Sequence, residues 1–363
     1  MKVSRRVFIT DCEGPVSKND NAFELTSFFV PDGEKLFTQI SKYDDLLADV
    51  VKRRGYQAGN TLKLVLPFLK AYDVTDEKMA NFSGSNILLM PGAKETLQNI
   101  TSIMPAFMIS TSYEHYLRVL CATLDFPYED TCCTRLSLDA YRISGKEKEQ
   151  LKKLGQEICA MPSLGLPRKA ASLRMLSKEG RQTVKRLDEI FWQEIMQLDS
   201  GAMLREVNPI GGVEKARAAK ATAAKNGCSL DSVMYVGDSI TDVEIFRLLN
   251  ESGGLTVSFN GNAYAVREAD IAVLSPNAIV VAVLADVFCK LGHDAIYRLV
   301  DNWSYSAMEK HNVDALLRRK VHTIFRKDLP RLSRITAGIV EKVAAESIDF
   351  RRRVRGEKVG SLG

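Results

Sequence analysis

The sequence predicts an α/β protein: a three-layer α/β/α, Rossmann-like core on a parallel sheet, with mainly helical insertions and a helical C-terminal extension. Three observations carry that prediction. Apolar runs such as Val7-Phe8-Ile9-Thr10 and Val233-Met234-Tyr235-Val236 read as strands buried on both faces. Residues 92–103 and 213–226 read as helices by their apolar spacing and, for the second, by its alanine content. Two acidic clusters, Asp11-Cys12-Glu13-Gly14 and Gly237-Asp238-Ser239-Ile240-Thr241-Asp242, each follow one of the two apolar runs directly. In an open parallel sheet, polar residues just past the carboxyl ends of strands lie in the ligand crevice.

In chain order, strands are expected at residues 7–11, 106–110, 132–138, 233–238, 254–259 and 271–275. Asn226-Gly227 supplies the stop for the helix that begins at Val213. Two insertions interrupt this core, which comprises residues 1–17, 88–139 and 206–289. The first, residues 18–87, looks helical from Asp32 onward. Ser17 to Asn21 serves as its candidate hinge, and Phe23, Phe28, Phe29, Tyr43 and Tyr56 as its expected core. The second, residues 140–205, carries a charged helical stretch from Lys169 to Leu198. Residues 290–363 form the extension.

The two acidic clusters would bring several carboxylates into one small volume. Such groups repel one another and are costly to ionise together, so a bound cation is the simplest remedy. Oxygen-only ligands point to a hard ion, Mg2+ before Zn2+.

The clusters also resemble the haloacid dehalogenase-like (HAD) superfamily, most of whose members are Mg2+-dependent phosphatases. The family's first motif, Asp-x-Asp, is matched by Asp11-Cys12-Glu13. Its second, a Ser or Thr ending an apolar strand, is matched by Ala106-Phe107-Met108-Ile109-Ser110. The third, a Lys, is matched by Lys215 in Gly211-Gly212-Val213-Glu214-Lys215, and the fourth by Asp238 and Asp242. All four stand in family order. The version Asp-Cys-Glu-Gly-Pro, followed by Asn19-Asp20-Asn21-Ala22-Phe23-Glu24, is in addition similar to an archaeal HAD-like group without an assigned substrate.

The resemblance implies roles. Asp11 would be the nucleophile, Glu13 the acid/base, Ser110 a hydrogen-bond donor to the phosphoryl group and Lys215 the counter-charge. Asp11, Asp238, Asp242 and the backbone carbonyl of Glu13 would hold Mg2+. Thr111 and Ser112 are alternatives to Ser110, and Asn260 or Asn262, in the loop after the 254–259 strand, could touch phosphate. A plain turn explains that Asn-Gly pair equally well. Lys220 and Lys225 share the helix of Lys215, so a solvated basic face competes with its assignment. The chain departs from the family at Glu13, where most members have a second Asp. Glutamate has nearly the same acidity, but its extra methylene alters reach. Retained catalysis and a non-catalytic scaffold are both open.

Composition bounds the rest. The chain has 363 residues, 45% of them hydrophobic and 26% charged, ordinary values for a globular protein. Seven cysteines without metal-ligand spacing suit a reduced compartment. Ser4-Arg5-Arg6-Val7-Phe8 mimics a twin-arginine signal, but no apolar h-region follows it. No apolar stretch reaches the roughly 18 residues of a membrane span. The expected location is cytoplasmic. Residues 301–363 hold 14 Lys/Arg against 8 Asp/Glu, a net +6. Nucleic acid is disfavoured as their partner, because Ile335, Ile339 and Val343 fall at helical spacing and suit docking on the core or on a second copy in a homodimer.

The expected function is therefore a Mg2+-dependent phosphomonoesterase acting on a small phosphorylated metabolite through an aspartyl-phosphate. The two insertions would act as caps over the site. A HAD-fold binding or assembly subunit without turnover is the alternative.

Overall fold

The computed structural model describes residues 6–165 and 172–362. Lys169 to Ala171, at the start of the charged stretch expected in the second insertion, and Ser4-Arg5 of the export-signal mimic lie outside the described residues.

Seven strands form one sheet: β1 (Val7–Thr10), β2 (Ala106–Tyr113), β3 (Thr131–Thr134), β4 (Val233–Gly237), β5 (Leu255–Phe259), β6 (Ile271–Leu274) and β7 (Arg331–Arg334). Their order is β3-β2-β1-β4-β5-β6-β7, parallel throughout except for the antiparallel β6–β7 pair. Alternation along β1 shows why its run is apolar at every position. Phe8 packs into one core with Leu97, Leu117 and Leu284, while Val7 and Ile9 pack on the other face with Ala219, Ala223 and Phe246. Helices therefore cover both faces of the sheet, the three-layer α/β/α arrangement that the sequence predicts.

Helices Ala93–Thr101 and Val213–Lys225 fall where the spacing places them. Three features differ from expectation. A helix already begins at Asn21, capped by the Asp20 side chain, ahead of the one starting at Gly33. Phe28, expected inside, is 69% exposed. Residues 331–334 add an edge strand to a segment expected to be helical. Only Leu332 of that strand is buried, so its pattern carries no apolar run to read.

A second apolar core joins residues 18–87 and 140–205 and takes in Tyr113 at the end of β2. Leu36, Phe37, Tyr43, Leu64 and Phe68 of the first pack with Leu151, Ile158, Leu187, Phe191 and Met203 of the second. Tyr43 ties them with polar contacts as well. Its hydroxyl donates to Asp188 at 2.6 Å and accepts from Trp192 Nε1 at 2.9 Å.

Candidate active site

β1 and β4 are neighbours in register, Thr10 opposite Val236, so the residues following them emerge side by side. Side-chain oxygens of Asp11, Asp238 and Asp242 lie within 4.8 Å of one another, and all three residues are buried. The approach depends on Gly14, whose φ is +98°. A Cβ there would overlap the Asp238 carboxylate, so a side chain would hold the turn after Asp11 away from β4.

Asp242 is held by its own loop. One oxygen accepts from the backbone N–H groups of Asp238 (2.8 Å) and Ser239 (2.9 Å), closing a capping box. The other accepts from the Tyr235 hydroxyl at 2.7 Å. Lys215 enters from the first turn of its helix. Its Nζ lies 2.5 Å from Asp11 Oδ2 and 2.7 Å from Asp242 Oδ1. The lysine is fully buried, which rules out the solvated-face reading of this residue.

The two carboxylates that share Lys215 differ in acidity. Burial pushes Asp11 up to about 7, the lysine opposes this, and Asp242 and Asp238 add to it. Asp242 feels the same burial, but Lys215, Tyr235 and the Ser239 N–H bring it below the usual range. Burial works against the charge on Lys215, yet its two carboxylates hold its pKa above the ordinary value.

Glu13 takes no place in the carboxylate trio. Its Oε1 accepts from the N–H of Asn21 at 2.7 Å, at the start of the first insertion's helix. Burial raises its pKa well above normal, and the nearby Asp20 adds to the effect. A carboxyl in this setting holds a proton that it can give up.

Ser110 is buried, and its Oγ accepts from the Ser112 N–H at 3.2 Å, leaving the O–H to donate. The register between β2 and β3 shifts between Ile109 and Tyr113, which interrupts the alternation of faces. Ser110 and Thr111 accordingly both line the cavity beside Asp11, and Ser112 does not. Asn260 requires a correction. Both ends of its amide are spent on the Ser275 backbone, Nδ2 to the carbonyl at 2.8 Å and Oδ1 from the N–H at 2.9 Å, so its side chain staples two loops. Asn262 caps helix Ala263–Glu268.

The cavity has a volume of about 100 Å³. Asp11, Glu13, Ser110 and Asp238 line it together with Phe37, Asp44 and Thr61 from residues 18–87. Two of its residues escaped the sequence reading. Arg351 and Arg355, on helix Val340–Arg355, reach in from the extension, and both pair with Asp238 Oδ2, Arg355 at 3.0 Å. Arg355 Nε also donates to the Lys18 carbonyl at 3.0 Å. Both side chains are 4% exposed. A signal for them was present: continuing the Ile335, Ile339, Val343 spacing by fours reaches Ser347, Arg351 and Arg355.

No family model matches the chain, and no curated protein matches it. Among solved structures, a gene product of Archaeoglobus fulgidus superposes with a TM-score of 0.80 at 25% identity, over 99% of both chains. The likeness therefore spans residues 18–87, 140–205 and 290–363 as well as the sheet. A phosphoserine phosphatase in a phospho-aspartyl analogue form matches at 16% identity and TM-score 0.43, covering 74% of this chain and 93% of its own. A substrate-bound phosphoserine phosphatase matches at 15% and 0.45, covering 76% and 96%. The core is a mostly parallel α/β/α fold, and its buried aspartate cluster could bind a metal. Among the described residues no helix is long and apolar enough to cross a membrane.

Proposed function

We propose that the protein is a Mg2+-dependent phosphomonoesterase for a small phosphorylated metabolite, working through an aspartyl-phosphate on Asp11. One observation carries the reading: Lys215, fully buried, bridges Asp11 and Asp242 beside Asp238 at the edge of a small polar cavity. The donor set fits Mg2+, being three carboxylates with oxygens within 4.8 Å. Asp11, Asp238 and Asp242 would hold the ion, with the Glu13 carbonyl as the further ligand that the family resemblance implies. When bound, it would supply positive charge to the phosphoryl oxygens.

The chain's own groups do the rest. Asp11 attacks phosphorus, forming the Asp11–phosphorus bond as the ester oxygen leaves, and Glu13 gives that oxygen its proton. Glu13 then takes a proton from water, which attacks phosphorus and frees Asp11 and orthophosphate. Lys215 aims Asp11 and favours its charged form against the cost of burial, and Ser110 donates to a phosphoryl oxygen. The shared insertion core closes over the cavity as a cap and excludes water. The archaeal resemblance of the Asp-Cys-Glu-Gly-Pro segment agrees with the full-length superposition on the Archaeoglobus product.

One observation favours a second reading, a binding or assembly subunit without turnover: Asp238 already has two arginine partners. A screen of phosphorylated sugars, acids, nucleotides and a chromogenic ester, with and without Mg2+, separates the two. Mg2+-dependent release of phosphate, abolished by Asp11→Asn, is expected. Absence of turnover on every ester would leave the binding reading.

A further inference from the structure

Arg351 and Arg355 lie four residues apart on one face of helix Val340–Arg355. The face is anchored upstream, where Ser347 Oγ donates to the Gly261 carbonyl at 2.6 Å, in the loop after β5. Two guanidinium groups beside a buried carboxylate cluster are costly to desolvate.

The donors are unevenly used. Arg351 Nη1 serves the Asp238 carboxylate, with longer approaches to the backbone carbonyls of Asp238 (3.4 Å) and Asn260 (3.5 Å). Its Nε is buried and has no partner. Thr111 Oγ1 is likewise buried and unpartnered, and both residues line the cavity that holds Asp11. Two buried, unsatisfied donors around one cavity call for an acceptor. Guanidinium is the side chain best matched to a tetrahedral oxyanion, because its planar fork offers parallel N–H groups.

We infer that the C-terminal helix supplies part of the substrate site: Arg351, steadied by Arg355, binds the phosphoryl group carried to Asp11, with Thr111 donating from the same cavity. The inference rests on the phosphatase reading and extends it, since the extension then contributes a binding residue. Arg355 is the positioning residue. Its bonds to Lys18 and Asn19 carbonyls fix the helix end against the segment that follows the nucleophile.

The test is titration calorimetry of the full chain with inorganic phosphate in the presence of Mg2+, and separately with Mg2+ alone. Arg351→Gln should weaken phosphate binding by about 10- to 100-fold, the worth of one or two hydrogen bonds to a charged group. It should leave Mg2+ affinity unchanged or higher, because a competing cation has gone. Arg351→Lys keeps the charge without the fork, so it should fall between wild type and Arg351→Gln. The lysine variant also keeps the test open if the glutamine variant does not fold. Equal phosphate affinity in wild type and variants would overturn the inference while leaving turnover, and with it the phosphatase reading, intact. A parallel loss of Mg2+ affinity would also overturn it, since Arg351 would then act only by shaping the cluster. A wild type that neither binds phosphate nor hydrolyses any ester would remove both readings together.

Discussion

Lys215 and Asp242, 27 residues apart in the chain, meet at 2.7 Å with neither side chain exposed to solvent. The lysine also reaches Asp11 at 2.5 Å, so one ammonium holds together two carboxylates that would otherwise repel. Replacing it tests how much of the local fold depends on that arrangement.

Lys215→Met should destabilise the protein by about 3–5 kcal/mol in denaturant unfolding at neutral pH, the usual result of stripping one partner from a buried pair. Millimolar Mg2+ should recover part of the loss, as it would replace the missing positive charge. A variant as stable as wild type would show that the two carboxylates are neutral in the folded state.

Glu13 separates an enzyme from a scaffold. Glu13→Gln keeps an oxygen for the Asn21 N–H but cannot exchange a proton, so the rate should fall about 10²–10⁴-fold while Mg2+ binding is unchanged. Phospho-enzyme formation and breakdown should slow together, because one carboxyl serves both. Glu13→Asp, the residue most HAD phosphatases carry, should retain part of the activity. Full activity in Glu13→Gln would refute the acid/base role.

Removal of the metal should be visible in stability as well as in rate. Mg2+ at 100 times its dissociation constant should raise unfolding free energy by about 2.7 kcal/mol. Chelation should abolish the gain, and Asp238→Asn should sharply reduce it. A melting temperature indifferent to Mg2+ would count against the carboxylate cluster as a cation site.

A pH dependence is expected away from the cluster, at Asp76. Burial tends to raise its pKa. The N–H groups of Leu138 and Asp139 and the His115 ring outweigh that and hold it below the usual value. A depressed carboxyl contributes stability above its unfolded value, near 3.8, and loses it as pH falls through the folded value. Asp76→Asn should therefore cost about 1 kcal/mol at pH 7, discounted for partial exposure, and nothing once pH falls below the folded value. Urea unfolding of both proteins across pH 2–7 checks the sign.

Much of the site was legible before folding because its chemistry sits at strand ends. Asp11 and Asp238 follow apolar runs, and a parallel sheet has only one edge where such residues can gather. Arg351 was not legible in the same way. Its run Arg351-Arg352-Arg353 reads as a surface patch, and only the four-residue stride from Val343 marks one of the three as inward. Asn260 misled for the opposite reason: an amide in a loop beside a crevice has many acceptors to choose from, and the Ser275 backbone was nearer.

Local pattern by itself determined the strands β1, β2, β4 and β5, the helix that carries Lys215, and the order of the four acidic, hydroxyl and basic positions. Burial of apolar side chains enforces those features over a few residues at a time. Tertiary structure alone decided that the two insertions share one core and that β7 joins the sheet edge. It also decided that the chain's last long helix brings arginines to Asp238. Each of these depends on contacts between segments far apart in the chain, 113 residues in the case of Arg351 and Asp238. Such contacts form where shape, charge and available hydrogen-bond partners coincide in three dimensions, and no periodicity within either segment records that meeting.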